Sequence, residues 1–342
     1  MNRKPDSPQA PRFELWTLAL PDGVDTVLFA QFGVQAKSPE QAAEAVAAYR
    51  PLFLQKDGPQ ELNRGVFVDA EGYANALFIA YWFDSDAYDR WANQDEVRDF
   101  WTSRPHDGGT GYWREAARVP VQRIDTLYTT HDPVEYDQAG VAQHGSMQVC
   151  KRHDYWGALR DRMPAAEHDS LAPELANFAP ATQETRGRRV AVTVPGNVCL
   201  ARHHEDWRNA PVFGEVYRQN VAEIKAAGVM HLATHPELGC VTAREISGQD
   251  LDGNAIGSAN AVAWFLSLEH LLSWTRSDPS HLAIYAAFFK IATTMKEGEV
   301  WDVPMWHEVY VVPKGAATAE YINCHNRTGF LTLLDCQARA PC

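Results

Sequence analysis

The chain repeats itself, and that repetition limits its fold more than any other feature. In the first half, Val27-Leu28-Phe29-Ala30-Gln31-Phe32-Gly33-Val34 reads as a strand. Ser38-Pro39-Glu40 then opens a helix, with Ser38 as N-cap and Pro39 at the first helical position. Alanines, Val46, Tyr49 and Leu52 continue it at helical spacing. A second strand, Ala76 to Phe83, runs into a helix from Ser85 to about Asn93. In the second half, Val198-Cys199-Leu200-Ala201 is a strand, Val212 to Ala227 a helix, and Val241-Thr242-Ala243 a strand. Ala261-Val262-Ala263-Trp264-Phe265 is another strand, followed by a helix through Leu272.

Individual residues carry the echo. Trp82 and Trp91 lie nine apart, as do Phe265 and Trp274, and Trp113-Arg114-Glu115 matches Trp306-His307-Glu308. Two echoes in the same order point to a duplication. At 342 residues the chain is about twice the usual domain size, which agrees. The expected fold class is α+β, each unit of ferredoxin-like type with a sheet on one side and helices on the other. The expected boundaries are a tail over 1–23, a first unit over 24–131, a connecting segment over 132–189 and a second unit over 190–342. The connecting segment holds Pro133, Pro164, Pro173 and Pro180 and is long enough to carry function.

Composition excludes several classes. Apolar residues make up 45% of the chain and aromatics 11%, enough to fill a core. With 31 basic and 44 acidic side chains the net charge is −13, which disfavours nucleic acid and anionic membranes. No apolar run reaches the ~18 residues of a membrane span. Met1 to Pro11 has no apolar signal-peptide region. The cysteines at 150, 199, 240, 324, 336 and 342 form no Cys-x-x-Cys pair. Neither a disulfide framework nor a zinc knuckle fits, and a reducing cytoplasmic setting is expected.

Three patches could carry chemistry. Asp278-Pro279-Ser280-His281 starts a helix, placing His281 in its first turn. Tyr285 and Phe288 follow at spacings of four and seven, on the same face as His281. The positive end of a helix disfavours imidazolium, so this ring can stay neutral and bind a metal; a core histidine bonded to a carbonyl fits the pattern too. Second, alternation in Met305-Trp306-His307-Glu308-Val309-Tyr310-Val311 puts His307 on an apolar strand face and Glu308 on the other. A buried imidazole there needs a partner or a ligand. Third, His153-Asp154-Tyr155-Trp156-Gly157-Ala158-Leu159-Arg160-Asp161-Arg162-Met163-Pro164 reads as an ordered loop. In it one arginine pairs with Asp161 and the other is free for a polar ligand, or the whole is a solvated charged turn. His231 and His235 lie four apart but lack the glutamate of a zinc helix, and Pro236 ends the helix. His203-His204-Glu205-Asp206 is dense in ligand types, but strand neighbours face opposite ways. Nucleotide-binding glycine loops and a serine nucleophile elbow are absent.

Together these stretches resemble the aldoxime dehydratases, b-type haem lyases. The match is spread from about Val27 to Phe330. It is densest in His153 to Pro164, Trp274 to Ala292, Trp306-His307-Glu308-Val309 and Glu320-Tyr321-Ile322-Asn323-Cys324-His325 with Thr328-Gly329. Gly111-Tyr112-Trp113-Arg114-Glu115 and Leu251-Asp252-Gly253-Asn254 also fit. The resemblance implies a duplicated ferredoxin-like chain of dimeric α/β-barrel type, usually a homodimer, with one haem b in the second unit.

It also implies roles. His281 becomes the axial iron ligand, with Tyr285, Phe288 and His153 among the cofactor-binding residues. His307 becomes the distal acid–base, Arg162 a second polar group over the iron, and Asp125 the counterpart of a glutamate with a redox or proton role. The implied reaction dehydrates an aldoxime to a nitrile, ferrous iron binding the oxime nitrogen while His307 moves protons. One position departs: where the family has a serine just after an arginine, this chain has Arg202-His203. His203 is therefore a catalytic candidate of its own. It leaves room for a related haem enzyme acting on another N–O or N–N bond; a peroxidase-like haem enzyme and a haem sensor are the further alternatives.

Overall fold

The expected punctuation sets the helices. In the computed structural model, which describes residues 14–132, 138–152, 154–208, 210–296 and 299–337, the Ser38 side chain accepts from the Gln41 N–H and Pro39 occupies the first turn. The described strands are β1 (Trp16–Ala19), β2 (Thr26–Ala36), β3 (Glu61–Val68), β4 (Ala74–Trp82), β5 (Gly111–Pro120), β6 (Ile124–Tyr128) and β7 (Ser146–Val149). After them come β8 (Arg189–Val192), β9 (Cys199–Asp206), β10 (Cys240–Gln249), β11 (Ala255–Phe265), β12 (Met305–Val311) and β13 (Ala317–Ile322). The helices are α1 (Pro39–Ala47), α2 (Arg50–Phe53), α3 (Ser85–Ala92), α4 (Asp95–Thr102), α5 (Leu159–Arg162), α6 (Gly214–Tyr217), α7 (Glu223–Thr234), α8 (Leu268–Ser277), α9 (Pro279–Thr294) and α10 (Leu334–Gln337). A π-helical turn, Arg218–Ala222, joins α6 to α7, where the sequence pattern predicts one continuous helix.

All strands pair antiparallel, in the order β7-β1-β6-β12-β9-β11-β10-β3-β4-β2-β5-β13-β8. Two sets of four repeat inside it. Neighbours β3-β4-β2-β5 and β10-β11-β9-β12 each run second, third, first, fourth in chain order, and the sets join through β3 and β10. The expected unit boundaries miss an exchange. β6, from the first half, pairs with β12 of the second, Leu127 opposite His307. β13, from the second half, pairs with β5 of the first, Glu320 opposite Arg114. Local patterning marks a strand but not the edge it will join, and only a three-residue turn separates β5 from β6. Part of the expected tail is likewise a strand, β1, paired with β6 and β7.

The inner faces of the two sets meet. Phe29 of β2 packs on Trp264 of β11 and Tyr310 of β12, at ring separations of 6.4 and 5.9 Å. Within this core the Trp-x-Glu echo becomes a matched pair of polar clusters. Glu115 takes both Arg244 terminal nitrogens, at 2.9 and 2.6 Å, and the Tyr321 hydroxyl at 2.8 Å, while the Arg244 guanidinium lies 4.4 Å over Trp113. Glu308 accepts from the Tyr81 and Tyr310 hydroxyls at 2.8 and 2.7 Å, and Arg202 lies 4.8 Å over Trp306. Buried polar groups satisfied in this way specify one register.

At the junction of the sets, Gly65 of β3 stands opposite Gly248 of β10. A Cβ on Gly65 would come within 2.3 Å of Ile246 Cγ2 and 2.8 Å of the Ser247 carbonyl, so the backbones approach where only glycine fits. Gly65→Ala should lower the unfolding free energy by about 1–3 kcal/mol, the range for overpacking. Urea denaturation checks this; an unchanged midpoint would mean that the two sets are not in close contact there.

Candidate active site

Alternation along β12 and its neighbours builds one face of the site. His307, on β12, stands between Leu127 of β6 and His203 of β9 in the ladder, and Asp125 lies two residues from Leu127 on the same face. His307 is fully buried, its Nε2 3.1 Å from Asp125 Oδ2. Among the described residues its Nδ1 has no hydrogen-bond partner. With Nε2–H donating to the carboxylate, the neutral ring carries its free lone pair on Nδ1. Burial pushes His307 down to about 4, against the pull of the Asp125 hydrogen bond.

Arg162, at the end of α5, closes the other side of Asp125. Its Nε and Nη2 donate to the two carboxylate oxygens, each at 2.9 Å. Nη1 donates to the carbonyls of Arg152 and Asp154, at 2.9 and 3.3 Å, and Nη2 to that of Tyr155 at 2.8 Å. Those bonds occupy all five donors of the guanidinium. The partner expected for an arginine of this loop was Asp161; Arg162 instead reaches Asp125, and Arg160 reaches the Ser170 carbonyl at 2.8 Å. A buried carboxylate that accepts both arms of a guanidinium makes a strong, geometrically specific pair. Burial alone would raise Asp125, but the Arg162 charge and the His307 and Arg162 hydrogen bonds overcome it and hold the carboxyl below its usual range.

His281 enters from α9. The Asp278 side chain caps the helix, accepting from the Ser280 N–H at 2.9 Å, with Pro279 in the first turn. Ser280 Oγ accepts from Trp274 Nε1 at 2.9 Å, and the Trp274 ring meets His281 edge-on at 4.7 Å. His281 is buried, and its Nδ1 has no hydrogen-bond partner among the described residues. Burial pushes it down to about 4, opposed by a hydrogen bond to the Thr275 backbone, so the ring is neutral at pH 7.

One ring meets both imidazoles. The Trp156 indole stacks on His307 at 4.6 Å and 16°, and meets His281 at 5.9 Å and 78°. Tyr155 closes on His307 edge-on at 4.7 Å. The sequence pattern singles out neither ring; two adjacent aromatics in a glycine-containing loop are the available signal. The face itself is floored by small residues. Ala201, Ala261 and Ala243 lie on adjacent strands at or near one level, and Ala261 stays partly accessible in the middle of the sheet. A central strand position is open only where the space above it is unfilled.

His203 shares that face, directly across the ladder from His307. Its Nε2 lies 3.4 Å from Glu205 Oε2. Glu205 is fully buried and paired with Lys225 of α7 at 2.9 Å, and it accepts from the Tyr217 hydroxyl. Lys225 also reaches Glu245 of β10 at 2.9 Å. Glu205 could have been found, since alternation places residues 203 and 205 on one side. His204 faces the interior, stacked on Trp306 at 5.1 Å.

The other expectations fare differently. Tyr285 is 55% exposed and stacks on Phe289, off the face that buries His281. The buried stripe of α9 steps from 281 through 284 and 288 to 291 and 292, which leaves 285 at its margin. Phe288 lies on that stripe but packs on Trp301 at 5.1 Å. His153 lies outside the described residues. His231 and His235 stack on each other at 3.7 Å, and no group of three potential metal-binding side chains occurs among the described residues.

Comparison with known proteins fits this arrangement. A family model, the haem-containing dehydratases, matches residues 30–330. The chain belongs to that family. It is 30% identical to a phenylacetaldoxime dehydratase from Bacillus sp. (strain OxB-1), over 95% of this chain and 93% of the relative. A crystal structure of an aldoxime dehydratase superposes with a TM-score of 0.85 at 30% identity, covering 97% of this chain and 94% of that one. Another, solved in complex with butyraldoxime, gives 0.82 at 27% identity, covering 94% and 89%. The residues present suit a haem. A neutral buried imidazole with an unpartnered nitrogen can ligate iron, and a partly open alanine floor among aromatics can receive a flat apolar ring system.

Breaking the pair beneath His307 has a defined cost. Asp125→Ala leaves Arg162 buried without its counter-charge and should lower stability by about 3–5 kcal/mol at neutral pH. Because Asp125 is held below its ordinary value, its contribution is present above that value and fades as pH falls through the folded one. The gap between variant and wild type in urea denaturation should therefore narrow on acidification. A gap independent of pH would show that the charge is not its source.

Proposed function

We propose that this chain is a haem-dependent lyase that dehydrates an aldoxime, R–CH=N–OH, to the nitrile R–C≡N and water. One observation carries the reading: two buried, neutral imidazoles, His281 and His307, meet the same indole and each keeps an unpartnered nitrogen. Family membership and the relatives' stated activities support it.

His281 holds the haem, in this reading. When bound, a ferrous haem would supply an electron-rich centre able to weaken an oxime N–O bond. Trp274, tied to Ser280, orients the His281 ring, and Phe288 anchors α9 on Trp301. His307 moves protons. Protonated, it would act as general acid to the departing oxygen and then, neutral, take the carbon-bound proton at Nδ1, while Asp125 fixes the ring through Nε2. Arg162, whose donors are engaged by Asp125 and three carbonyls, acts as a positioning residue that keeps Asp125 ionised. His153 is retained as a cofactor contact on the family resemblance alone.

The two sets of strands are read as duplicated ferredoxin-like units with haem in the second. In the first set the place of His307 is held by Arg114, which is bonded to Glu320 at 2.8 Å, and this supports a single haem. A homodimer is the proposed assembly; the exposed apolar stripe of α9, Leu282, Tyr285 and Phe289, is compatible with a subunit contact. Residence in the cytoplasm is supported by free cysteines throughout the described residues. No described helix is long and apolar enough to cross a membrane. A second reading, the same haem chemistry on a different N–O or N–N substrate, rests on His203; anaerobic assay of the reduced protein against aldoximes, hydroxylamines and hydroxamates separates the two.

His281→Ala should abolish the Soret band of the purified protein. His307→Ala should keep the band and lose about 10²–10⁴-fold in kcat, the usual worth of acid–base help. Near wild-type dehydration by His307→Ala would overturn the assignment.

A further inference from the structure

Among the described residues the site is open in one direction. Across the ladder His307 stands opposite His203, His203 opposite Ala261 and Ala261 opposite Glu245, so the four side chains form a row on one face of β12, β9, β11 and β10. Beyond His307 the row is shut. Trp156 stacks on that ring, Tyr155 meets it edge-on, and the Asp125–Arg162 pair is buried. Along the strands it is filled as well, by Leu159, Met163 and Val309 on one side and by Glu205, Met305 and Tyr217 on the other. His203, Ala261 and Glu245 keep accessible surface.

The far end of the row holds a carboxylate short of a donor. Glu245 lies two strand spacings from His203, about 10 Å, with only the Ala261 methyl group between them. Its Oε1 is 2.9 Å from Lys225 Nζ, but its Oε2 is buried and has no hydrogen-bond partner among the described residues. Lys225 is itself buried and divided, since its Nζ is also 2.9 Å from Glu205 Oε1. One ammonium thus serves two carboxylates. Burial pushes Glu245 up to about 7 against the pull of Lys225, and Glu205 adds to the push. A buried carboxylate oxygen without a donor is costly, and a bound cation removes that cost.

We propose that this row receives the side chain of the substrate and that Glu245 selects aldoximes whose tail ends in an ammonium group. The inference rests on the dehydratase reading of the site and names its substrate class. With the oxime group at His307, the tail has no course past Trp156 and Tyr155, so it runs over Ala261 toward β10. An ammonium at its end donates to Glu245 Oε2 and gives each of the two carboxylates a cation of its own. An alkyl tail of the same length leaves that oxygen unpartnered. Glu245 is then a specificity-determining residue, and Lys225 is a positioning residue that holds it at the end of the row.

Two aldoximes of one length test this on the haem-loaded protein: ω-aminohexanal oxime, which ends in an ammonium, and heptanal oxime, which ends in a methyl. Calorimetry with the iron kept ferric reads affinity without turnover. The wild type should bind the ammonium-tailed oxime at least about 10-fold more tightly, the worth of a hydrogen bond to a charged group. In turnover the same preference should appear in KM rather than in kcat. Glu245→Gln should erase the preference and Glu245→Asp should keep part of it, a ratio that a general loss of stability does not move. Should those variants fail to fold, Ala261→Leu, which fills the middle of the row, should weaken both long oximes more than acetaldoxime. Equal affinities in the wild type, a preference that survives Glu245→Gln, or an Ala261→Leu protein that weakens all three oximes alike overturns the inference and leaves the dehydratase reading intact. A haem-loaded wild type that dehydrates no aldoxime overturns that reading instead, and the ratio of affinities still decides whether Glu245 binds a cation.

Discussion

The site depends on one buried carboxylate. Asp125 accepts two guanidinium bonds from Arg162 and faces the His307 imidazole, and all three side chains are out of water. A lone carboxylate in that position would be neutral, and a lone arginine would not be buried. Together they fix the His307 ring. The arrangement exists because β6 crosses from the first half of the chain to lie beside β12 of the second. Strand exchange is therefore what brings Asp125 beside His307.

The opposite sheet face does different work with similar residue types. Arg202 and His204 point inward from β9 while His203 and Glu205 point into the site. The inward set, with Glu308, Tyr81 and Tyr310, mirrors Arg244, Glu115 and Tyr321 at the other side of the core. A register slip of one residue would exchange the two faces of β9 or β12 and bury unpaired charge in both. The interior polar clusters thus protect the geometry of the site without touching it. At matching places in the two sets Arg114 keeps a half-buried ion pair with Glu320 and His307 is a buried imidazole.

Much of this was legible in the residues. Ser38-Pro39 and Asp278-Pro279 mark helix starts because a side-chain acceptor and a fixed φ act locally, and both caps form. The alternation that set His307 on one face of its strand and Glu308 on the other is equally local, and β12 follows it. The Trp-x-Glu echo falls on β5 and β12, which take the fourth place in chain order in the two sets. What stayed hidden is non-local: the crossing of β6 and β13, the meeting of Arg162 with Asp125 thirty-seven residues away, and the Lys225 bridge between two strands. Tyr285 was misplaced because ideal spacing from His281 ignores which side of α9 finds a partner. The short strands β1, β7 and β8 carry too few residues for a period to show.

The central proposal is that His281 would hold a haem iron at which an aldoxime reacts. Optical spectra of the purified wild-type protein, ferric and ferrous, with and without an aldoxime, test it most directly. The account predicts a Soret band in both states and an aldoxime-induced shift with nitrile release in the ferrous one. A protein that remains colourless after expression with ample haem, or a ferrous band that no aldoxime moves, would contradict it.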